Sequence, residues 1–328
     1  MSDKNSERLW AAADLVTPMA IRVAATLRLA GHIVAGRRTA AALATAVGAD
    51  PDALGRLLAH LVTAGVLAGE GTYTLTPMGE QLPGFQDWLD MEGSVGRGDL
   101  CFVEMLHTVR TGEPAFPRRF GRPFWEDLAA DPAREASFDA LMGSRLTADI
   151  PDVVAAYPWD TLGHVVDVGG GSGDLLIAIL RAHRNLRGTV VDLPGPCDRA
   201  ARAIADAGLR DRAGTHPGSF FDRIPAGAGG YVLSGVLHNW DDEDATRILR
   251  RCADAGATVL VVDHVGTTTT EGDMRMLCYF NGRERTLDEL STVASAAGLR
   301  PGAVIPAGSR SIVAFHRRER PAEPADAG

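Results

Sequence analysis

Apolar residues recur at helical spacing near the start of the chain. Between Leu9 and Ala35 the sequence is rich in alanine, and its larger apolar residues mostly fall three or four positions apart, which places their side chains on one face of a helix. We therefore expect at least one amphipathic helix whose apolar face another element must cover. The apolar residues of this segment include Leu15, Met19, Val23, Leu27 and Leu29.

The segments that follow are typical of a winged helix-turn-helix unit. Two predicted helices flank a turn at 48–51, and glycines interrupt the apolar stretch from Val66 to Leu75. Such a unit either binds DNA through its second helix or acts as a packing or dimerisation module. The second helix offers only Arg56 and His60 to a nucleic acid, and acidic residues surround it. These charges favour the packing or dimerisation role, and we expect no nucleic-acid partner.

The pattern changes in the middle of the chain. Residues 81–157 look mostly helical, with turns indicated at 111–117 and 121–123. From His164 onward, short β-branched runs alternate with segments rich in alanine and leucine, which predicts a mostly parallel sheet covered by helices on both faces. The alternating runs lie at 164–168, 175–181, 189–193, 199–207, 231–234, 244–253 and 258–262.

The overall composition excludes several classes of protein. The 328 residues are 45% hydrophobic and 23% charged, as in ordinary globular proteins, and the formal net charge of −9 disfavours a polyanionic partner. The four cysteines lie far apart without a C-x-x-C pair, so neither a zinc site nor a disulfide framework is indicated. No apolar run approaches the length of a membrane span. We therefore expect a cytoplasmic protein that acts on a small molecule and does not enter a membrane.

A glycine-rich turn follows the first predicted strand of the sheet. The run VDVGGGSGD ends at Asp174, and Asp192 ends the next predicted strand, where an acid can bind both hydroxyls of a ribose. Glycines there allow a ligand to approach the backbone closely. Both dinucleotide sites and adenosylmethionine sites share this pattern. A pyrophosphate would be repelled by the carboxylate of Asp174, which stands where dinucleotide sites have a small residue, so the details favour adenosylmethionine.

One histidine is expected at the same edge of the sheet. The predicted strand that begins at Tyr231 runs past His238 into a helix with an acidic start, which Asp241 or Asp242 can cap. An isolated histidine is usually a packing or surface residue. The carboxyl end of this strand, however, lies on the edge that also carries the glycine turn and Asp192, and this favours a catalytic role.

Five motifs extend this interpretation. They are VDVGGGSG at 166–173, DLP at 192–194, GSFF at 218–221, VLHNWDD at 236–242 and RERT at 283–286. Together they resemble the adenosylmethionine-dependent O-methyltransferases of plant phenylpropanoid and bacterial antibiotic pathways, over nearly the whole chain. The segments LVTPMA at 15–20, VGRGDL at 95–100 and FWEDL at 124–128 are more similar still to the bacterial enzymes that act on polyketide phenols, notably the naphthoate type of enediyne assembly.

The resemblance implies a fold and a division into domains. A Rossmann-like, doubly wound α/β methyltransferase domain would follow an N-terminal, all-helical winged-helix domain that forms a homodimer and lends residues to the partner's active site. The implied parts are a winged-helix dimerisation domain at 1–100, a helical linker contributing to the substrate pocket at 101–160, a Rossmann-like adenosylmethionine-binding catalytic domain at 161–318, and a disordered tail at 319–328.

The resemblance also assigns the cofactor site. S-adenosyl-L-methionine would be the methyl donor and S-adenosyl-L-homocysteine the product, with no metal. Glycines would line the methionine part, Asp192 would bind the ribose, and the residues near the adenine would include one serine where plant members commonly have an acid. The implied cofactor-binding residues are Gly169, Gly171, Asp192, Ser219, Phe220 and Ser234.

In the family a histidine acts as general base between two acids. His238 matches the base, Glu284 matches one acid, and Asp263 stands where the other is usually glutamate. Asn239 replaces the aspartate that commonly follows the base, and Asn281 replaces a glycine near Glu284. These departures imply a shorter and differently hydrated wall beside the base.

The acceptor pocket is implied by matching positions. It should be apolar, with one arginine that could meet a carboxylate of the substrate or the carboxyl group of the cofactor. The implied residues are Phe138, Met142, Arg145, Met276 and Phe280.

The chemistry implied is methyl transfer to a phenolic hydroxyl of an aromatic, polyketide-derived small molecule. A phenol has a pKa of about 10 and an imidazole of about 6.5, so a neutral histidine is an adequate base if the phenolate forms as methyl transfer begins. Two alternatives stay open. The fold could keep the cofactor but perform decarboxylation or hydroxylation, although relatives that do so tend to lose the base, and His238 is present. The winged helix could instead belong to a ligand-sensing transcription regulator.

Overall fold

The chain divides at Leu100 into two units in its computed structural model. The structure describes residues 4–256, 258–266 and 270–318. The tail expected to be disordered, 319–328, lies outside the described residues. In the part of the chain that is described, no helix is long and apolar enough to cross a membrane.

The first unit is a helical domain with a small wing. Thr39 and Asp50 accept hydrogen bonds from the backbone N–H groups of Ala42 and Ala53, and these caps fix where two helices begin. The layout matches the expected winged helix-turn-helix, but the domain is not all-helical, because two short antiparallel strands form the wing. The elements are α1 (Lys4–Ala13), α2 (Val16–Thr26), α3 (Leu29–Val34), α4 (Ala40–Val47), α5 (Pro51–Thr63), β1 (Leu67–Ala68), β2 (Thr74–Leu75), α6 (Leu82–Leu89) and α7 (Ser94–Asp99).

The expected amphipathic segment from Leu9 to Ala35 forms three helices. The chain turns at Arg28, whose φ of 52° lies in the left-handed region. The helices α2 and α3 pack into the core of this unit, where leucines 43, 58 and 61 are fully buried. Helix α1, in contrast, has no buried residue, and the described part of the chain leaves its apolar side chains uncovered.

Five helices open the second unit. The turns predicted at 111–117 and 121–123 are confirmed in part: helices end before Gly112 and Gly121, both of which adopt positive φ, but residues 115–117 already belong to the next helix. This is the C-terminal geometry that glycine favours. The helices are α8 (Met105–Thr111), α9 (Ala115–Phe120), α10 (Phe124–Ala129), α11 (Pro132–Thr147) and α12 (Ile150–Ala156).

A seven-stranded sheet follows, with the strand order β5-β4-β3-β6-β7-β9-β8. The first five strands are parallel, and the last two form an antiparallel hairpin against β7. The expected mostly parallel, doubly wound α/β fold is therefore confirmed. The strands and helices are β3 (His164–Val168), α13 (Asp174–Ala182), β4 (Arg187–Asp192), α14 (Pro194–Asp206), β5 (Ala213–Pro217), β6 (Gly230–Ser234), α15 (Asp242–Ala255), β7 (Thr258–Asp263), α16 (Thr270–Phe280), α17 (Leu287–Ala296), β8 (Leu299–Ala307) and β9 (Arg310–Arg317).

The core of the second unit lies on both faces of this sheet. One apolar cluster joins the sheet to α15 and α17, and a second joins it to α12, α13 and α14. The central strand β3 is buried along almost its whole length. Because β3, β4, β6 and β7 are parallel, their carboxyl ends meet at one edge, which we call the sheet rim. Ligands of such sheets bind at this edge.

Candidate active site

The glycine turn between β3 and α13 combines tightly packed glycines with open space for a ligand. Gly169, Gly171 and Gly173 all have positive φ, which side-chain-bearing residues rarely adopt. A Cβ on Gly169 would lie 2.8 Å from Val236, and one on Gly170 would lie 2.6 Å from the carboxyl group of Asp167. The space beside Gly171 is open within 4 Å. A cofactor can therefore approach the backbone at Gly171, and the residues present fit an adenosylmethionine site.

Asp192 lies at the sheet rim, beside the glycine turn. Its Oδ2 accepts a hydrogen bond from the Gly171 N–H at 2.8 Å, and its Oδ1 accepts one from the Leu193 N–H at 2.7 Å. Burial raises its pKa to about 6, although these two donors oppose the shift. Each carboxylate oxygen keeps a second lone pair, so the group can still accept two ribose hydroxyls.

Asp167 is a buried acid that the sequence reasoning did not single out. It lies within β3 beneath the glycine turn, and burial raises its pKa to about 7. Neither of its carboxyl oxygens has a hydrogen-bond partner among the described residues. The sequence feature that could have identified Asp167 is an acidic residue within the apolar run VVDV. This side chain explains why Gly170 must be glycine.

The residues expected near the adenine lie close to the glycine turn. The Phe220 ring would come within 3.5 Å of a Cβ on Gly169, and it packs edge-on against Trp240 with ring centroids 5.8 Å apart. The hydroxyl of Ser219 accepts a hydrogen bond from the Phe221 N–H. Ser234 ends β6 at the sheet rim, and its hydroxyl is buried without a hydrogen-bond partner among the described residues.

His238 lies in a short 3₁₀ turn directly after β6. Its Nδ1 is 3.2 Å from Asp263 Oδ1 and 3.8 Å from Glu284 Oε1. The ring N–H is not aligned for a full hydrogen bond to either acid. The structure thus brings together all three expected catalytic residues. Their spacing would also suit a divalent cation, but the ion pairs account for the cluster and we assign no metal to it.

The acids control the charge on the imidazole. Burial alone would lower the pKa of His238, but the nearby charges of Asp263 and Glu284 outweigh it and raise that pKa above its ordinary value. Burial would likewise raise the pKa of Asp263, yet His238, the His264 N–H and Arg310 together hold it well below its ordinary range. Burial raises the pKa of Glu284. Both acids thus favour the protonated imidazole, and Asp263 is the one whose charged form its neighbours stabilise.

Arg285 fixes the backbone on both sides of His238. Its guanidinium is buried and donates hydrogen bonds to the carbonyl oxygens of Leu237 and Trp240, each at 2.8 Å, and to Asp242. The sequence reasoning placed this residue in a motif without a role. Because a buried guanidinium satisfies several acceptors at once, Arg285 holds the turn in which the base lies.

The two asparagines that depart from the family pattern have structural explanations. Asn281 has a φ of 63°, a conformation that glycine adopts readily and that asparagine tolerates better than most residues. Its side chain also lies 3.4 Å from Asp241 Oδ2. Asn239 donates to the Gly235 carbonyl oxygen at 3.3 Å.

Two residues of the expected acceptor pocket, Phe138 and Phe280, pack against Trp125, and we call these three rings the aromatic wall. Phe280 stacks on Trp125 at 5.0 Å, and Phe138 meets the same indole edge-on at 5.5 Å. Met142 lies one turn after Phe138 on α11, and Met276 lies one turn before Phe280 on α16. The indole Nε1 of Trp125 is buried without a hydrogen-bond partner among the described residues. Trp125 was missed as a wall residue, although it stands in the quoted FWEDL motif.

Arg145 is exposed on α11. Its charge lies close enough to Glu284 to oppose the rise in the pKa of that carboxyl group. It has no ion-pair partner in the described part of the chain. A guanidinium in this condition can still bind a carboxylate.

Two family models match this chain. The model described as the O-methyltransferase domain matches residues 102–300, and the model described as the O-methyltransferase dimerisation domain matches residues 10–82. The matches therefore cover parts of both units.

Individual relatives extend the similarity along the chain. The 2,7-dihydroxy-5-methyl-1-naphthoate 7-O-methyltransferase of Streptomyces carzinostaticus is 56% identical over 93% of this chain and 96% of the relative. The aclacinomycin 10-hydroxylase RdmB of Streptomyces purpurascens is 44% identical over 91% of this chain and 85% of the relative. A solved O-methyltransferase of neocarzinostatin biosynthesis, NcsB1 in complex with S-adenosylmethionine and 2-hydroxy-5-methyl naphthoic acid, has a TM-score of 0.92 and 55% identity, covering 94% of this chain and 98% of the other.

Proposed function

The chain belongs to the adenosylmethionine-dependent O-methyltransferases, and we propose that its acceptor is a hydroxylated aromatic carboxylic acid of the polyketide-derived type. The observation that carries the proposal is the ion-paired His238 at the sheet rim, beside an aromatic wall. The comparisons support the substrate class, since a similar sequence is named for a dihydroxynaphthoate and a similar structure was solved with a hydroxynaphthoic acid bound.

The chain's own residues would bind and orient the cofactor. When bound, adenosylmethionine supplies the methyl group that is transferred. Gly169 and Gly171 would receive its methionine part, the carboxylate of Asp192 would accept hydrogen bonds from the ribose hydroxyls, and Ser219 and Phe220 would contact the adenine. The buried hydroxyl of Ser234, which lacks a partner among the described residues, would find one there.

His238 would take the proton from the acceptor hydroxyl. Because Nδ1 faces Asp263, the other ring nitrogen, Nε2, is the atom that remains for the substrate. Asp263 holds the tautomer that protonates Nδ1 and stabilises the imidazolium that forms. Holding the hydroxyl oxygen in line with the methyl carbon would supply much of the remaining acceleration.

A panel of acceptors tests the substrate class. The protein should methylate hydroxynaphthoic acids faster than the matching naphthols or the methyl esters, with one methyl group added per acceptor by mass spectrometry. Equal rates on the acids, the esters and the naphthols would show that no group on the protein recognises the carboxylate.

Arg145 is the residue we propose for that recognition. Arg145→Met should raise the KM for a hydroxynaphthoic acid by up to about tenfold, since an exposed charge-assisted contact contributes about 1.4 kcal/mol or less. The KM for the methyl ester should stay unchanged, and Arg145→Lys should keep part of the preference. If Arg145→Met instead weakens adenosylmethionine binding in calorimetry, the arginine binds the cofactor carboxyl group and not the substrate.

We also propose that the protein is a homodimer joined through the first unit, whose N-terminal helices lend residues to the partner's active site. The side chains of Leu9 and Trp10 on α1 are more than two-thirds exposed, although apolar residues of this size favour burial. An apolar groove lined by Met19, Val23 and Leu57 lies between α2 and α5 in the same unit. Both features call for a covering surface, which a second copy of the chain could provide.

The oligomeric state can be measured directly. The protein should elute from a sizing column at twice the chain mass, and the double substitution Leu9→Glu with Trp10→Glu should convert it to a monomer of much lower activity. Arg8→Glu on the same helix is the matched control and should leave the dimer intact. A wild-type monomer with full activity would contradict the proposal. The cytoplasmic location and the absence of a nucleic-acid partner stay predictions.

Hydroxylation is the second candidate, because one relative at 44% identity is named a hydroxylase. The position of His238 favours methyl transfer, since a general base serves a phenolic hydroxyl directly. The two reactions leave different groups on the acceptor and can therefore be separated by mass.

A further inference from the structure

A buried arginine lies behind the catalytic histidine. Arg310 is the first residue of β9, which pairs with β7 so that Ser311 faces Asp263 across the sheet. The side chain is 7% exposed, and its Nε donates to Asp149 Oδ2 at 3.0 Å. The terminal nitrogen Nη1 is buried without a hydrogen-bond partner among the described residues.

Gly235 lies beside both this guanidinium and the imidazole. A Cβ on Gly235 would lie 3.7 Å from Arg310 Nη1 and 3.9 Å from His238 Cε1. Gly235 has a φ of 63° and presents only hydrogen atoms, so the arginine and the histidine face the same small space. Charges interact more strongly in such a buried place than in water, because the effective dielectric constant is lower.

The charges around His238 come from several elements. Asp263 on β7 and Glu284 in the loop before α17 face Nδ1, and both favour the protonated ring. Arg310 on β9 acts in the opposite sense on His238 and also stabilises the Asp263 carboxylate.

Three further groups act on His238 indirectly, through Arg310 or through Glu284. Asp149, before α12, neutralises part of the Arg310 charge. His264 and Arg145 act on Glu284 and oppose the rise in the pKa of that carboxyl group. Of the charges that act directly on His238, those of the two acids favour the protonated ring and that of Arg310 opposes them.

We propose that Arg310 is a positioning residue for the base: its buried Nη1, which has no hydrogen-bond partner among the described residues, places a positive charge across Gly235 that offsets the two acids and keeps the His238 ring free to accept the substrate's proton. The proposal rests on the proposed role of His238 as the base. It also gives a reason for the buried ion pair with Asp149, which keeps the guanidinium in place.

The test is the pH dependence of kcat/KM in Arg310→Gln. Glutamine can still donate to Asp149 but carries no charge. The acid limb of the wild-type profile reports deprotonation of the base, so removing the positive charge should move this limb to higher pH by about one unit. Activity on the high-pH plateau should be largely kept. Arg310→Lys should move the limb less than Arg310→Gln.

Asp149→Asn is the matched control, because it breaks the same ion pair while removing a negative charge. It should leave the acid limb in place or move it to lower pH. Ring titration of His238 by NMR, without substrate or turnover, gives a second reading on every variant that folds, including Arg310→Met and Arg310→Lys. The proposal would be overturned if Arg310→Gln changed neither the acid limb of the pH profile nor the titration of the His238 ring. It would also be overturned if Arg310→Gln and Asp149→Asn produced equal shifts. Full activity of His238→Ala would instead refute the proposed base, whatever Arg310 does.

Discussion

Replacing His238 with alanine should lower the turnover number by about 100- to 10,000-fold, the usual scale of general base catalysis. The ring lies at the sheet rim with Nδ1 turned toward Asp263 and Glu284, so its loss removes the group that takes the acceptor proton. Adenosylmethionine affinity in calorimetry should stay nearly the same, because the residues proposed for the cofactor lie elsewhere on the rim. His216→Ala, an exposed histidine on β5, is the matched control and should keep full activity.

The acidity of the acceptor separates a base from a residue that merely positions the substrate. A phenol that ring substituents have already ionised at assay pH needs no base, so His238→Ala should recover much of its lost rate on such an acceptor. Equal impairment on acidic and ordinary phenols, with the wild type handling both, would show that His238 positions the substrate and does not deprotonate it.

Asp192→Ala should weaken adenosylmethionine binding by about 1.5 to 3 kcal/mol, which is about 10- to 150-fold in Kd. The carboxylate lies beside the open space at Gly171 and keeps lone pairs for two hydroxyls. Asp192→Asn should lose less, because the amide oxygen still accepts one hydrogen bond. Asp198→Ala, an exposed acid at the start of α14, is the matched control.

The affinity for adenosylmethionine should also depend on pH. Hydroxyl donors prefer the ionised carboxylate, and burial raises the pKa of Asp192 to about 6. Affinity should therefore be full above that pH and fall as the pH drops through it, while Asp192→Asn should lose this dependence. Calorimetric affinities that are unchanged in Asp192→Ala would mean that the ribose binds elsewhere.

The central parallel strands of the second unit could be predicted because they are buried on both faces of the sheet. Such strands appear in the sequence as continuous apolar runs. The predicted run at 164–168 coincides with β3. The strands β5, β8 and β9 were not predicted. β5 and most of β8 are exposed, β8 contains Pro301 and Pro306, and neither strand shows the apolar signal on which such predictions depend.

Residues of the candidate site could be predicted from the sequence only where they belong to a short, recognisable stretch of it. The glycine turn, Asp192 and the position of His238 follow from strand–turn patterns, whereas Asp263 and Glu284 came from the family resemblance alone. The pair of Arg310 and Asp149 joins positions 161 residues apart. No local sequence pattern predicts such a contact, because the contact depends on the pairing of β9 with β7.

Transfer of an isotopically labelled methyl group tests the central claim most directly. The protein should be incubated with adenosylmethionine carrying a trideuteromethyl group and with a hydroxynaphthoic acid, and the acceptor then analysed by mass spectrometry and NMR. We expect a gain of one trideuteromethyl group on the hydroxyl oxygen, with one adenosylhomocysteine formed for each product. An acceptor that gains an oxygen or loses carbon dioxide, with no label incorporated, would contradict it.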